Sequence, residues 1–376
     1  MKDSWQTKKL NEVATLQRGF DLPTQDRVSG DFPLVSSSGI SDTHHKSAVH
    51  GPGVVTGRSG SIGNVFFVEK DFWPLNTVLY VKDFHGNDPR FVFHLLRQFD
   101  LKRFSSGAGV PTLNRNFVHD ELVKVPPLPE QKRIVGILDA AFQGLAAARA
   151  NAEKNLQDSH ALFNNYLKTV FHRRGKDWVD KTLGDIASVK GGKRVPAGYK
   201  LLVEPTKFPY LRVTDFNESG TIDMRDLRYI SADVHREIKN YIINSADMYV
   251  SIAGTIGKTG IIPKELDGAN LTENACRLVF RSGINNRFVY YFTKTPDFVE
   301  QAGLNTRTAA QPKLALSRLS TIRLGIPPVG EQELLVHKFD SLRTQTQCLE
   351  ALYRQKLDAL ETLKKSLLHQ AFSGRL

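Results

Sequence analysis

Two glycine-crowded segments, TGRSGSIGNV at 56–65 and SIAGTIGKTG at 251–260, place small hydroxyls and amides beside tight turns. Gly254, Gly257, Lys258 and Thr259 imitate a phosphate-binding loop. That loop needs its first glycine at position 252, which is Ile, and the first segment has Asn64 where the lysine would stand. Nucleotide hydrolysis is therefore disfavoured. The bland alternative is a repeated turn between strands, for which glycine supplies the positive φ. The sharper one has the turn present Arg58, Ser59, Ser61 and Asn64, or Thr255, Lys258 and Thr259, to DNA.

Other catalytic signals are weaker still. Asp120, Glu130 and Lys132 resemble the acidic-acidic-lysine spacing of metal-dependent nucleases, but a second occurrence of the same segment has Glu333 in place of the lysine. These charges also sit at a helix entry, where the macrodipole gives a carboxylate a structural reason to be. The double prolines lack the flanking residues that surround a target amine in amino-methyltransferases, so methyl transfer by this chain is equally disfavoured. His44, His45 and His50 have no partner cluster at metal-ligand spacing, and a surface loop is the expected setting. Hydrogen-bonding residues do gather in loops: Asn114, Arg115 and Asn116, then Arg307, Thr308, Gln311 and Lys313, preceded by Arg212, Asn270 and Asn274. Arg and Lys can bond guanine O6 and N7, and Asn or Gln can bond adenine N6 and N7. The same residues are ordinary loop residues, so these are regional expectations.

The elements that must position them occur twice. At an offset of 173, Trp5, Leu10, Ala14 and Gly19 return as Trp178, Leu183, Ala187 and Gly192; at 194, Gly60, Ile62 and Gly63 return as Gly254, Ile256 and Gly257. At 201, Pro126, Pro127, Glu130, Gln131 and Asp139 return as Pro327, Pro328, Glu331, Gln332 and Asp340, and that offset holds to Phe171 and Phe372. Insertions thus fall inside the second globular part and none within the segments that follow the prolines. Those segments carry apolar residues at alternating spacings of four and three, from Ile134 through Leu138, Leu145, Ala152, Leu162 and Tyr166, and from Leu335 through Phe339, Leu349, Tyr353 and Leu363. The spacing predicts two long helices whose seams face each other, with Asn155, Ser159, Thr346 and Lys356 as polar interruptions. Without proline from Glu130 to Phe171, the first would reach ~63 Å. Because the repeat is circular, a pseudo-twofold arrangement places the helices antiparallel and brings Trp5 beside Phe372. Strands are expected at 64–68, 78–82, 248–252 and 277–281, and shorter helices at 88–98 and 286–293.

Composition bounds the partners. The 376 residues carry a net charge of +12 with a mean hydropathy of −0.31, and no apolar stretch is long enough to span a membrane. The N-terminus has no apolar core of a secretory signal, so a cytoplasmic location is expected. Cys276 and Cys348 form neither a disulfide framework nor a zinc motif. Lys plus Arg against Asp plus Glu is 15 to 13 over residues 1–128 and 24 to 16 over 173–328, so most excess positive charge sits on the second globular part. Such an excess is compatible with a polyanion.

The opening WQTKKLNEVATLQRG and its return WVDKTLGDIASVKGG, the segments GSIGN and GTIGK, the entries PPLPEQKRIV and PPVGEQELLV, and the ending LLHQAFSGRL together resemble the specificity subunit of type I restriction and modification systems. The resemblance covers the whole chain. It implies an α+β fold in which two mixed α/β target-recognition domains, 1–128 and 173–328, are joined by two long antiparallel coiled-coil helices, 129–172 and 329–376. Each domain would read one half of a bipartite, asymmetric site in double-stranded DNA. The helices would set the spacer and dock two modification subunits. Adenine methylation would belong to those subunits with S-adenosylmethionine, and translocation and cleavage to restriction subunits with ATP and Mg, so that this chain binds no cofactor or metal. The rival from another class is a coiled-coil scaffold with two protein-binding heads.

Overall fold

The computed structural model describes residues 5–106, 111–304 and 313–376. Two compact units emerge, one of Met1–Lys154 with Arg354–Leu376 and one of Asn155–Tyr353.

In the first unit, the β-branched and aromatic runs Gly53–Gly57, Val65–Val68 and Val78–Asp83 form strands and, with Thr15–Arg18, build an antiparallel sheet. Side chains alternate across it. Val54, Leu79 and Val81 enter one core with Phe91 and Leu95, whereas Val55, Val78 and Tyr80 enter another with Val35 and Phe72. Helix α1, Pro89–Gln98, lies on the first core; Asp88 caps it by accepting from the Phe91 N–H, and proline occupies the first turn. A ribbon of Gln6–Lys9 with Leu122–Val125 leads through the double proline into helix α2, Leu128–Arg173.

The second unit repeats this order. Its sheet runs Ala187–Gly191, Ala275–Phe280, Met248–Ser251, Thr259–Gly260, the counterparts of the four strands above in the same sequence of neighbours. Helix α3, Asn286–Phe292, is capped by Asn285, and a ribbon of Val179–Thr182 with Arg323–Ile326 leads into helix α4, Val329–Phe372. The growing offset is explained by added strands. The first unit has a small three-stranded sheet built on Phe32–Ser36, and the second has a four-stranded one built on Pro209–Leu211 and Ala269–Leu271.

Each globular core takes in residues of both long helices. Ile134 and Leu138 join Leu368 and Phe372 in the first unit, and Leu167 and Phe171 join Leu335 and Phe339 in the second. Arg149 reaches Glu361 at 3.7 Å and His160 reaches Glu350 at 2.8 Å. Trp5 shares the first core with Phe372, as Trp178 edges Phe171 at 6.2 Å in the second.

The apolar spacing along the long helices needs one correction. Leu162, Leu349 and Leu363 are exposed, although a strict seven-residue repeat puts them on the buried stripe. An α-helix of 3.6 residues per turn drifts by ~20° per heptad against such a repeat. The stripe accordingly moves one position along, to Phe163 and to the half-buried Glu350 and Lys364. Of the polar interruptions, Ser159 and Thr346 are buried with hydroxyls bonded to the carbonyls of Asn155 and Arg343, while Asn155 and Lys356 face solvent.

The repeated pair Gly19 and Gly192 has a steric cause. A Cβ on Gly19 would lie 2.2 Å from the Leu75 carbonyl oxygen, and one on Gly192 only 2.0 Å from that of Thr272. Gly192→Ala must therefore push the strand ends apart. Overpacking of this kind costs about 1–3 kcal/mol, and thermal unfolding of the variant should begin at a clearly lower temperature; an unchanged midpoint would refute the close approach.

Candidate nucleic-acid interface

The two glycine turns have the same geometry. The Gly57 N–H donates to the Asn64 carbonyl at 3.0 Å, and the Ser251 N–H to the Lys258 carbonyl at 2.8 Å. Gly60 and Gly63 have φ of 78° and 88°, and Gly254 and Gly257 have 74° and 87°, the left-handed region that side chains resist. The second turn feeds the strand Thr259–Gly260 instead of a helix, so its amides are not arranged as in a P-loop.

A second contact, also repeated, carries the distant loop to the turn. Leu113 N–H donates to the Arg58 carbonyl at 2.8 Å, and Leu314 N–H to the Ile252 carbonyl at 2.9 Å. In the first unit this brings Arg58 together with Asn114, Arg115, Asn116 and Arg18 around a shallow cleft of about 380 Å³. A second hollow of about 470 Å³, lined by Ser61, Asn64 and Lys102, begins at the neighbouring Ser105 and Pro111. Ser59 pairs with Thr112 as a single bridge at the same spot. Asn114 also has a local task, its side chain accepting from the Asn116 N–H at the start of a short helix. The near-balanced charge of residues 1–128 is thus unevenly placed: Arg18, Arg58, Arg115 and Lys102 line the hollows, Arg18 paired with Asp21 at 2.9 Å, while Arg103 is held by Glu121 at 2.8 Å.

In the second unit Arg212, Thr255, Lys258 and Asn274, far apart in sequence, line one cleft of about 710 Å³ with Arg194 and Tyr199. Its cations are braced. Arg212 forks onto the buried Asp215 at 2.6 and 3.2 Å, which raises its pKa, and also bonds the Asp226 carbonyl at 2.7 Å. Lys258 Nζ donates to the Phe216 carbonyl at 2.9 Å and meets Glu218 at 3.0 Å. The exposed Arg194 holds Glu273 at 2.6 Å; burial favours the neutral acid, but this contact and further hydrogen bonds leave Glu273 below the usual carboxylate range. Such pairing fixes direction without removing outward donors.

Two expected residues are not at the surface. Thr259 is 2% exposed and shares a hydrogen bond with the Thr293 hydroxyl at 2.6 Å. Asn270 is 0% exposed, bonded to His235 Nδ1 at 2.7 Å and donating to the Ile238 carbonyl at 2.9 Å. Both lie in strands and have their polar groups occupied by the fold, so neither is available to DNA. Arg307, Thr308 and Gln311 lie outside the described residues; Lys313, just beyond, is exposed. Arg18, Arg194, Tyr199 and Glu273 also line these clefts and are not among the residues expected from the sequence. The signal available for Arg18 and Arg194 is their nearness to the repeated Gly19 and Gly192, where two segments of the backbone approach closely.

The histidines and acids considered above have structural partners. His44 is buried against Trp73, His50 pairs with Asp71, Asp120 with Lys9 and Glu130 with Arg133. Among the described residues no group of three or more His, Cys, Asp or Glu side chains is placed to hold a metal, and no helix is long and apolar enough to cross a membrane.

The family model for the type I restriction modification DNA specificity domain matches residues 2–154 and again 175–359. The chain belongs to this family. A putative type I restriction enzyme specificity subunit of Haemophilus influenzae is 24% identical over 90% of the chain and 88% of its own length. The EcoBI specificity subunit of Escherichia coli is 21% identical over 100% of the chain and 86% of its own. Among solved structures, a chain from a study of complex assembly and conformational transition of the type I R-M system matches with a TM-score of 0.78 at 19% identity, covering 99% of this chain and 98% of that one. The HsdS subunit from Thermoanaerobacter tengcongensis matches with a TM-score of 0.64 at 20% identity, over 99% and 97%. As a type I specificity subunit the protein serves DNA-sequence recognition within a restriction-modification system, and each of its two family matches takes in one globular part together with part of the long helix that follows it.

Proposed function

We propose that each globular part reads one half of a bipartite, asymmetric DNA site, the first with Arg58, Asn114, Arg115 and Asn116, the second with Arg212, Thr255, Lys258 and Asn274. What carries this reading is the repeated scaffold: the same turn and the same bond to a distant loop recur in both units, while the side chains they bring together differ. Equal scaffolds with unequal donors are what two different half-sites require. The recognition domains are taken as 1–128 and 173–328, and the helices as an antiparallel coiled coil that sets the spacer and docks two modification subunits. Adenine methylation with S-adenosylmethionine, and ATP- and Mg-dependent translocation and cleavage, are assigned to partner subunits, with this chain contributing no catalytic group.

The test is DNA binding by the chain assembled with its modification subunits, measured across salt concentrations. Affinity for the specific site should fall with a log-log slope of roughly −0.9 per phosphate contacted. A scaffold with protein-binding heads would show no such slope, and a flat salt dependence would overturn the proposal.

A further inference from the structure

Spacing can be measured by long helices only if each recognition domain keeps a fixed angle on its helix. Two buried or half-buried side chains per copy tie the long helix to the short one in the same way. In the first unit Gln131, 2% exposed, accepts from the backbone N–H of Asp88 at 2.9 Å and donates to the carbonyl of Pro126 at 2.9 Å. Asp88 is the residue that caps α1, so the glutamine occupies one of the donors a helix start leaves open. About 12 Å further along α2, Asp139 takes Arg90 and His94 of the same short helix, each at 2.9 Å. Burial pulls the His94 pKa down in spite of the carboxylate, and its Nδ1 has no hydrogen-bond partner among the described residues.

The second unit repeats the arrangement. Gln332, 1% exposed, accepts from the N–H of the α3 cap Asn285 at 2.8 Å and donates to the Pro327 carbonyl at 2.9 Å. Asp340 takes Arg287 at 2.7 Å and the hydroxyl of Tyr291. Neither pair lines the DNA-facing clefts. A single buried glutamine would be a satisfied corner; two points of attachment between the same two helices resist both slip and rotation.

We infer that Gln131 with Asp139, and Gln332 with Asp340, are clamps that fix each recognition domain on its long helix and thereby determine how strictly the DNA spacer is measured. They are positioning residues, and the inference rests on the two-headed reading above. The experiment uses the complex with modification subunits and DNA substrates whose half-sites are constant and whose spacer is the native length or one base pair shorter or longer. Wild type should methylate the native spacer far faster than the others. Asp139→Asn and Asp340→Asn, which leave the buried glutamines in place, should reduce that preference by roughly tenfold while half-site specificity and the native-spacer rate hold within a few-fold; Gln131→Met and Gln332→Met should reduce it further. If the glutamine variants fail to fold, the aspartate variants still decide. A preference unchanged in the aspartate variants overturns the clamp alone, and so does loss of methylation in equal proportion on every spacer. A wild-type complex with no preferred spacer overturns the two-headed reading, and the clamp with it.

Discussion

Four residues inserted into each long helix, after Lys154 and after Tyr353, yield a complex that methylates the same two half-sites with a spacer about two base pairs longer. The insertions fall where the compact units divide, away from either globular core. Helices α2 and α4 run for 46 and 44 residues without a break, so added residues have no loop in which to be absorbed. Four residues add ~6 Å at 1.5 Å each, close to two rises of ~3.4 Å along DNA. They also exceed one turn by only ~40°, which keeps the apolar stripe nearly in phase. Mapping of methylated adenines in cells carrying the variant reads the outcome directly. An unchanged spacer at full activity would show that the helices do not measure distance.

Arg115→Ala relaxes and weakens recognition of one half-site, and Asn274→Ala does the same for the other. Arg115 is exposed on a cleft that Arg18 and Arg58 also line, and Asn274 sits with Thr255 and Arg212 in the cleft of the second unit. A bidentate base contact is worth about 1–3 kcal/mol of discrimination, so binding to the cognate site should fall on the order of tenfold or more. Mismatches should be tolerated in one half only. Competition binding with oligonucleotides altered in either half tests this: relaxation of both halves by one substitution, or of neither by both, would contradict the division of labour. If Arg115 met only a phosphate, affinity would fall for all sequences alike and the salt slope would drop by about one unit.

The duplication, the turn positions and the order of elements were legible because each rests on local rules. Strands around Val78 and Met248 follow from β-branched runs that alternate between two cores, and the helices at 89–98 and 286–292 begin at Asp88 and Asn285, both good caps. Burial was not legible in the same way. Thr259 and Asn270 look like surface donors in the sequence, yet each is enclosed by strands whose neighbours come from far along the chain. Leu162 and Leu363 lie off the buried stripe because a strict seven-residue repeat accumulates the drift of a 3.6-residue helix. Gln131 and Gln332 stood out as repeated letters beside the prolines, but their partners at 88 and 285 lie some forty residues upstream. Arg194 escaped notice because the loops that follow Gly19 and Gly192 differ in length between the copies.

Sequencing the methylome of cells that carry this chain with its modification subunits tests the central claim most directly. Two-headed recognition predicts one new adenine-methylated motif made of two unlike half-sites separated by a spacer of fixed length. A continuous motif, a palindrome with identical halves, or no new motif would contradict it.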